Sequence, residues 1–105
     1  MKINTFQRRS YSSETANKYL NANKEFILAS ATIEETFEYD GNNNRNVTGK
    51  RVWVLQESLN PFYVKLPASI EIDAKQFDKV SFENLEAIEI KNNVYFRAST
   101  IIKQK

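Results

Sequence analysis

Phe62-Tyr63-Val64-Lys65-Leu66 is the stretch that decides how this chain reads, because its apolar residues fall at every second position. Successive side chains of a β-strand point to opposite faces, so Phe62, Val64 and Leu66 face a core while Tyr63 and Lys65 face outward. Val94-Tyr95-Phe96-Arg97-Ala98 repeats the pattern, with Tyr95 and Arg97 outward. A third predicted strand, Arg51 to Gln56, carries Arg51 and Trp53 two residues apart. Its inward set stays open. Val52 and Val54 inside would turn Trp53 to the surface, whereas Trp53 and Leu55 form an equally apolar inward pair.

Outward from these segments the strand pattern continues. Phe26 to Ile33 is a nearly continuous apolar run, after which Ile33, Glu35 and Phe37 alternate with Glu34, Thr36 and Glu38 as far as Tyr39. Asp40-Gly41-Asn42-Asn43-Asn44-Arg45-Asn46 is the strongest loop signal, since Asp, Gly and Asn all tolerate turn conformations. Ser58-Leu59-Asn60-Pro61 makes a turn, and Pro67 ends the strand before it or sends it to an edge. Ile70 to Phe77 alternates like a strand yet also allows one helical turn. Val80 to Ile90 predicts a fourth strand, bulged around Asn84-Leu85. Lys91-Asn92-Asn93-Val94 predicts a tight hairpin, with the Asn pair accepting positive φ. Val94 to Ile102 is the last strand. Residues 1–11 read as a flexible arm or an edge strand. Ser12-Ser13-Glu14 offers a helix N-cap, and Ala16, Tyr19 and Leu20 share one helical face, which predicts a short helix within 12–24. About five antiparallel strands with one small N-terminal helix predict a mainly β (α+β) domain, either a small curled sheet or an OB-like barrel over 25–105.

The 105 residues suffice for one domain and not for two, and 41% hydrophobic and 12% aromatic content can build a core. A net charge of +2 is too small to drive strong nonspecific binding to duplex DNA. Cations sit on the segments that bear the ring–cation pairs, while Glu34, Glu35, Glu38 and Asp40 gather ahead of them. The longest apolar run is far too short to span a bilayer, so a cytoplasmic protein without membrane contact is expected.

Little chemistry is available. With no Cys and no His, the thiolate ligands and the commonest general base are missing. Gly41 and Gly49, the two glycines, cannot make a phosphate-cradling loop, and Ser58-Leu59-Asn60-Pro61 lacks the glycines of a nucleophile elbow. The spacing of Glu34, Glu35, Glu38 and Asp40 fits no recognised metal loop, and they read as a solvated hairpin arm. Neither catalysis nor a cofactor nor a metal is expected.

What remains is a surface. Trp53, Tyr63 and Tyr95 suit base stacking, each stacked base being worth ~1–3 kcal/mol, and Arg51, Lys65 and Arg97 suit phosphates. Lys50, and Arg45 in the Asn-rich loop, add charge nearby. The same residues would equally anchor a protein partner, because Trp, Tyr and Arg dominate such interfaces too. An edge strand can also accept a second copy of the chain.

From Glu34 to Lys105 the chain resembles a family of small proteins encoded on integrative and conjugative elements of Gram-positive bacteria. The features that carry the likeness are an Arg-aromatic-x-Leu strand ending in Ser (Arg51 to Ser58), Val64-Lys65-Leu66-Pro67-Ala68-Ser69, Phe77, Val80-x-Phe82-x-Asn84, Ala87, and a closing Phe96, Ala98 and Ile101. The likeness fades before about Phe26, and the hairpin from Ile90 to Val94 is shorter than is usual in that group. Some members serve as helicase processivity factors in conjugation and rolling-circle replication. The resemblance therefore implies an accessory protein that works beside a helicase on single-stranded DNA.

Overall fold

A computed structural model describes residues 10–21, 24–42 and 44–104. The reading of residues 1–11 as an arm or edge strand therefore falls, except for Ser10 and Tyr11, outside the described residues. Helix α1, Ser13–Tyr19, is followed by strands β1 (Phe26–Leu28), β2 (Glu34–Tyr39), β3 (Arg45–Leu55), β4 (Phe62–Leu66), β5 (Lys79–Glu83), β6 (Glu86–Ile90), β7 (Asn93–Arg97) and β8 (Thr100–Lys103). All eight strands belong to one sheet in the order β6-β7-β4-β3-β1-β5-β8, with β2 on the flank of β3.

Four of these eight strands are the halves of two bent ones. β5 with β6, and β7 with β8, form one long antiparallel hairpin in a single register, with Glu83 opposite Thr100 and Glu86 opposite Arg97. Asn84, at φ 55°, kinks it where the sequence predicts a bulge, and the Asn84 amide donates to the Ser99 hydroxyl across the break at 2.9 Å. One half of the hairpin joins β4 through β7, and the other half joins β1 through β5. It thus bridges both edges of the β1–β3–β4 layer and curls the sheet into a half-barrel of OB-like character. The β4–β7 pairing is parallel, with Val64 opposite Phe96, which corrects the expectation of antiparallel neighbours throughout. A strand that returns after a long crossover need not reverse direction.

The core is the inward set of these strands. Leu28, Val52, Val54 and Val64 have no exposure, and Phe26, Phe62, Phe82 and Phe96 pack edge-on or tilted around them at 4.9–6.3 Å between ring centroids. Aromatic pairs favour such edge-on geometry.

Three local departures from the sequence reading have simple causes. The apolar run from Phe26 to Ile33 does not stay one strand, because Leu28 turns to pair with the 77–78 segment and Ser30 Oγ takes the Trp53 N–H at 2.8 Å. Helix α1 stops at Tyr19 rather than filling 12–24, and the buried Gln56 amide instead fastens the chain that follows, bonding Asn21 N, Asn21 O and Lys24 O. In the tight turn after β6, Lys91 rather than an asparagine adopts positive φ, at 56°. The ambiguous stretch Ile70 to Phe77 is neither strand nor helix; Ile70, Ile72 and Ala74 pack on the core from an irregular backbone. At its N-terminus α1 has its predicted cap, Ser12 Oγ accepting from Thr15 N at 3.1 Å, and Ala16 and Leu20 bury against the core. No helix among the described residues is long and apolar enough to cross a membrane.

Candidate nucleic-acid interface

Strands β3, β4 and β7 lie side by side, and their register sets what they display. Arg51 pairs with Lys65 and Trp53 with Tyr63 across β3 and β4, and Lys65 pairs with Arg97 across β4 and β7. The intervening residues Val52, Val64 and Phe96 are buried on the inner side. Arg51, Trp53, Tyr63, Lys65, Tyr95 and Arg97 therefore all emerge on one outer face. The open choice at Trp53 is settled by Val52 and Val54, both fully buried, which send the indole to the surface where it is half-covered.

The rings do not stand free. Trp53 meets Tyr63 edge-on, with centroids 5.4 Å apart and planes at 70°, and the Arg51 guanidinium lies 5.0 Å from the Tyr63 centroid. Tyr95 sits two residues before Arg97 and opposite the buried Ile88, and makes no ring contact with Trp53 or Tyr63 among the described residues. The face thus has a tight Trp53–Tyr63 centre with Tyr95 standing apart.

The cations are not all free either. Arg51 Nε donates to Glu34 Oε1 at 2.7 Å, and the Trp53 indole N–H donates to the same oxygen at 3.2 Å. The Arg51 hydrogen bond chiefly, with help from Trp53, holds the Glu34 carboxyl below the usual carboxylate range. Arg97 donates through Nε and Nη2 to Glu86 Oε1, both at 3.0 Å, and its guanidinium covers the Tyr11 ring at 3.9 Å. The Lys65 ammonium makes no hydrogen bond or ion pair among the described residues. Of the three cations, one is available outright and two are shared with carboxylates.

Glu34, Glu86 and Tyr11 were not among the residues expected at this face. Glu34 reads in sequence as part of a solvated acidic arm, but pairing β2 to β3 across the Asp40-Gly41 loop sets it opposite Arg51. The hairpin itself is legible from that loop, but its register counted back from Tyr39–Arg45 would set Glu34 opposite Lys50, and only the slip between Thr36 and Phe37 brings it to Arg51. Tyr11 left no signal, since its place follows from the Ser12–Ala87 bridge between distant parts of the chain.

The expected neighbours Lys50 and Arg45 lie elsewhere. Lys50 points to the inner side, opposite Leu66, and its ammonium donates to the Ile70 carbonyl at 2.6 Å. Arg45 is on the outlying part of the β2–β3 hairpin, over the Phe37 ring at 4.1 Å. No family model matches this sequence, and neither a curated protein nor a solved structure matches it.

Proposed function

We propose that this chain is a non-enzymatic accessory protein of a mobile genetic element, acting in the cytoplasm, which binds single-stranded DNA through the β3–β4–β7 face and assists a helicase in conjugative DNA processing or replication. The observation that carries the reading is the register that sets Trp53 against Tyr63 and Lys65 between Arg51 and Arg97. Rings and cations in alternate positions on a barrel face suit a strand whose bases stack while its phosphates run beside them. The helicase and the mobile element come from the family resemblance alone.

Binding by this face is weak and only mildly salt-sensitive. Each neutralised phosphate lowers the slope of log K against log salt by ~0.7 for a single strand. Lys65 alone gives a slope near ~0.7, and full release of both arginines from their glutamates gives ~2. A second reading, a protein-contacting adaptor without nucleic acid, is favoured by one observation: Glu34 and Glu86 already neutralise Arg51 and Arg97.

Fluorescence anisotropy with a labelled single-stranded oligonucleotide, at two salt concentrations, separates the two. Binding at low salt that is lost in Trp53→Ala/Tyr63→Ala supports the first reading. Absence of binding at low salt hands the face to a protein partner.

A further inference from the structure

Where β3, β4 and β7 meet, a cavity of about 270 Å³ opens at the Lys65 end of the face, lined by Lys65, Arg97, Thr48 and Tyr11 over the buried Leu66 and Ala98. Among the described residues no carboxylate lines it. We propose that this cavity seats a single phosphate group, held by the Lys65 ammonium and the Arg97 guanidinium with the Thr48 and Tyr11 hydroxyls at hand. Its source as a phosphodiester of a bound strand rests on the nucleic-acid reading above. The chemistry of the seat would accept free phosphate equally.

The backbone builds this cavity on purpose-made geometry. The β2–β3 ladder slips between Thr36 and Phe37, so that Gly49 pairs with Thr36 and Val47 with Phe37, leaving Thr48 as the extra residue of a bulge. Its hydroxyl lies 2.9 Å from that of Thr36. A Cβ at Gly49 would sit 2.8 Å from the Leu66 carbonyl, so only glycine lets β4 come this close, and it would stand in ordinary contact with Lys65 Cε at 3.9 Å. Arg97 is oriented by Glu86 on one edge and Tyr11 on one face. Such fixed placement reduces the ordering cost of binding. Lys65 has no ion pair to give up among the described residues. Each water in the liquid occupies ~30 Å³, so the cavity has room for a tetrahedral anion with several waters.

The test uses the whole chain and two probes. In amide NMR spectra, inorganic phosphate at tens of millimolar should shift Thr48, Leu66 and Ala98, whereas chloride at matched ionic strength should not, and Lys65→Gln should abolish the shifts. With a single-stranded oligonucleotide, Lys65→Gln should weaken binding on the order of tenfold and flatten the salt slope by ~0.7, while Lys75→Gln, outside the cavity, should change neither by as much. Thr48→Val should weaken binding about threefold without altering the slope, since a neutral hydrogen bond is worth about 1 kcal/mol or less. Phosphate shifts without any oligonucleotide binding would keep the seat as a site for free phosphate and remove the nucleic-acid reading. Oligonucleotide binding equally indifferent to Lys65→Gln and Lys75→Gln, or phosphate shifts absent from Thr48, Leu66 and Ala98, would overturn the seat and leave that reading in place.

Discussion

The barrel face around Trp53 and the outlying half of the β2–β3 hairpin are built from the same kinds of residue. Arg51 lies over Tyr63 in one, and Arg45 over Phe37 in the other. What differs is the other side of the strand. Beneath Trp53 and Tyr63 stand Val52, Val54 and Val64 with no exposure, whereas residues 37–39 and 45–48 are exposed throughout, Tyr39 to 70%. A ring and a cation become a platform only when the reverse face of their strand is anchored, because a held side chain loses less entropy on binding. The arm has the chemistry without the anchor.

The largest effect should come from removing the anchor itself. Leu28→Ala should cost about 2–5 kcal/mol in chemical denaturation, as for other fully buried leucines. Phe37→Ala on the arm should stay within about 0.5 kcal/mol. Equal losses would erase the distinction between the two regions. Gly49→Ala comes next, at about 1–3 kcal/mol, because its new Cβ would strike the Leu66 carbonyl and must push β4 away from β3. That substitution should also weaken binding by the face more than any truncation on the arm does.

Binding then sharpens the contrast. Trp53→Ala together with Tyr63→Ala should reduce affinity for a single-stranded oligonucleotide by about tenfold or more, at ~1–3 kcal/mol per stacked base. Phe37→Ala together with Tyr39→Ala should reduce it less than ~threefold, the difference being the missing anchor. If the arm pair cost as much as the barrel pair, preorganisation would not be what separates them.

Much of the barrel was legible because its strands alternate. Phe62-Val64-Leu66 and Val94-Phe96-Ala98 needed nothing beyond a period of two, and the outward set Tyr63, Lys65, Tyr95 and Arg97 followed from it. Trp53 was not decidable that way, since Val52/Val54 and Trp53/Leu55 are both apolar; tertiary packing on Leu28 and Val64 chose between them. The parallel β4–β7 pairing, the break at Ala29–Ile33 and the place of Tyr11 depend on contacts between distant segments, which no local period encodes. The pairing of Glu34 with Arg51 lay between these cases. The hairpin was legible, but the slip between Thr36 and Phe37 that moves Glu34 from Lys50 to Arg51 was not, and the charge cluster around Glu34 reads as solvent-facing.

The smallest effects are acid-linked, and they divide the two regions once more. Glu34 on the barrel face and Asp40 at the arm's tip both have carboxyls held below the usual range, Glu34 first by Arg51, Asp40 first by the backbone N–H of Asn44 and then that of Asn42. A carboxyl whose pKa is lower folded than unfolded contributes stability that is fully present above the unfolded value, about 4, and is lost as pH falls through the folded one. Both contributions should therefore fade on acidification below that value, but into different observables. Protonated Glu34 releases Arg51 and the indole N–H of Trp53, the single tryptophan, so intrinsic fluorescence should change on acidification in the wild type and not in Glu34→Gln. Protonated Asp40 loosens only a turn closed on itself by Asn42 and Asn44, so it should quicken amide exchange at those two residues and leave the fluorescence unmoved. A fluorescence change abolished by Asp40→Asn instead would mean that the arm is coupled to the barrel face, and that its exposed strands transmit more order than their lack of burial allows.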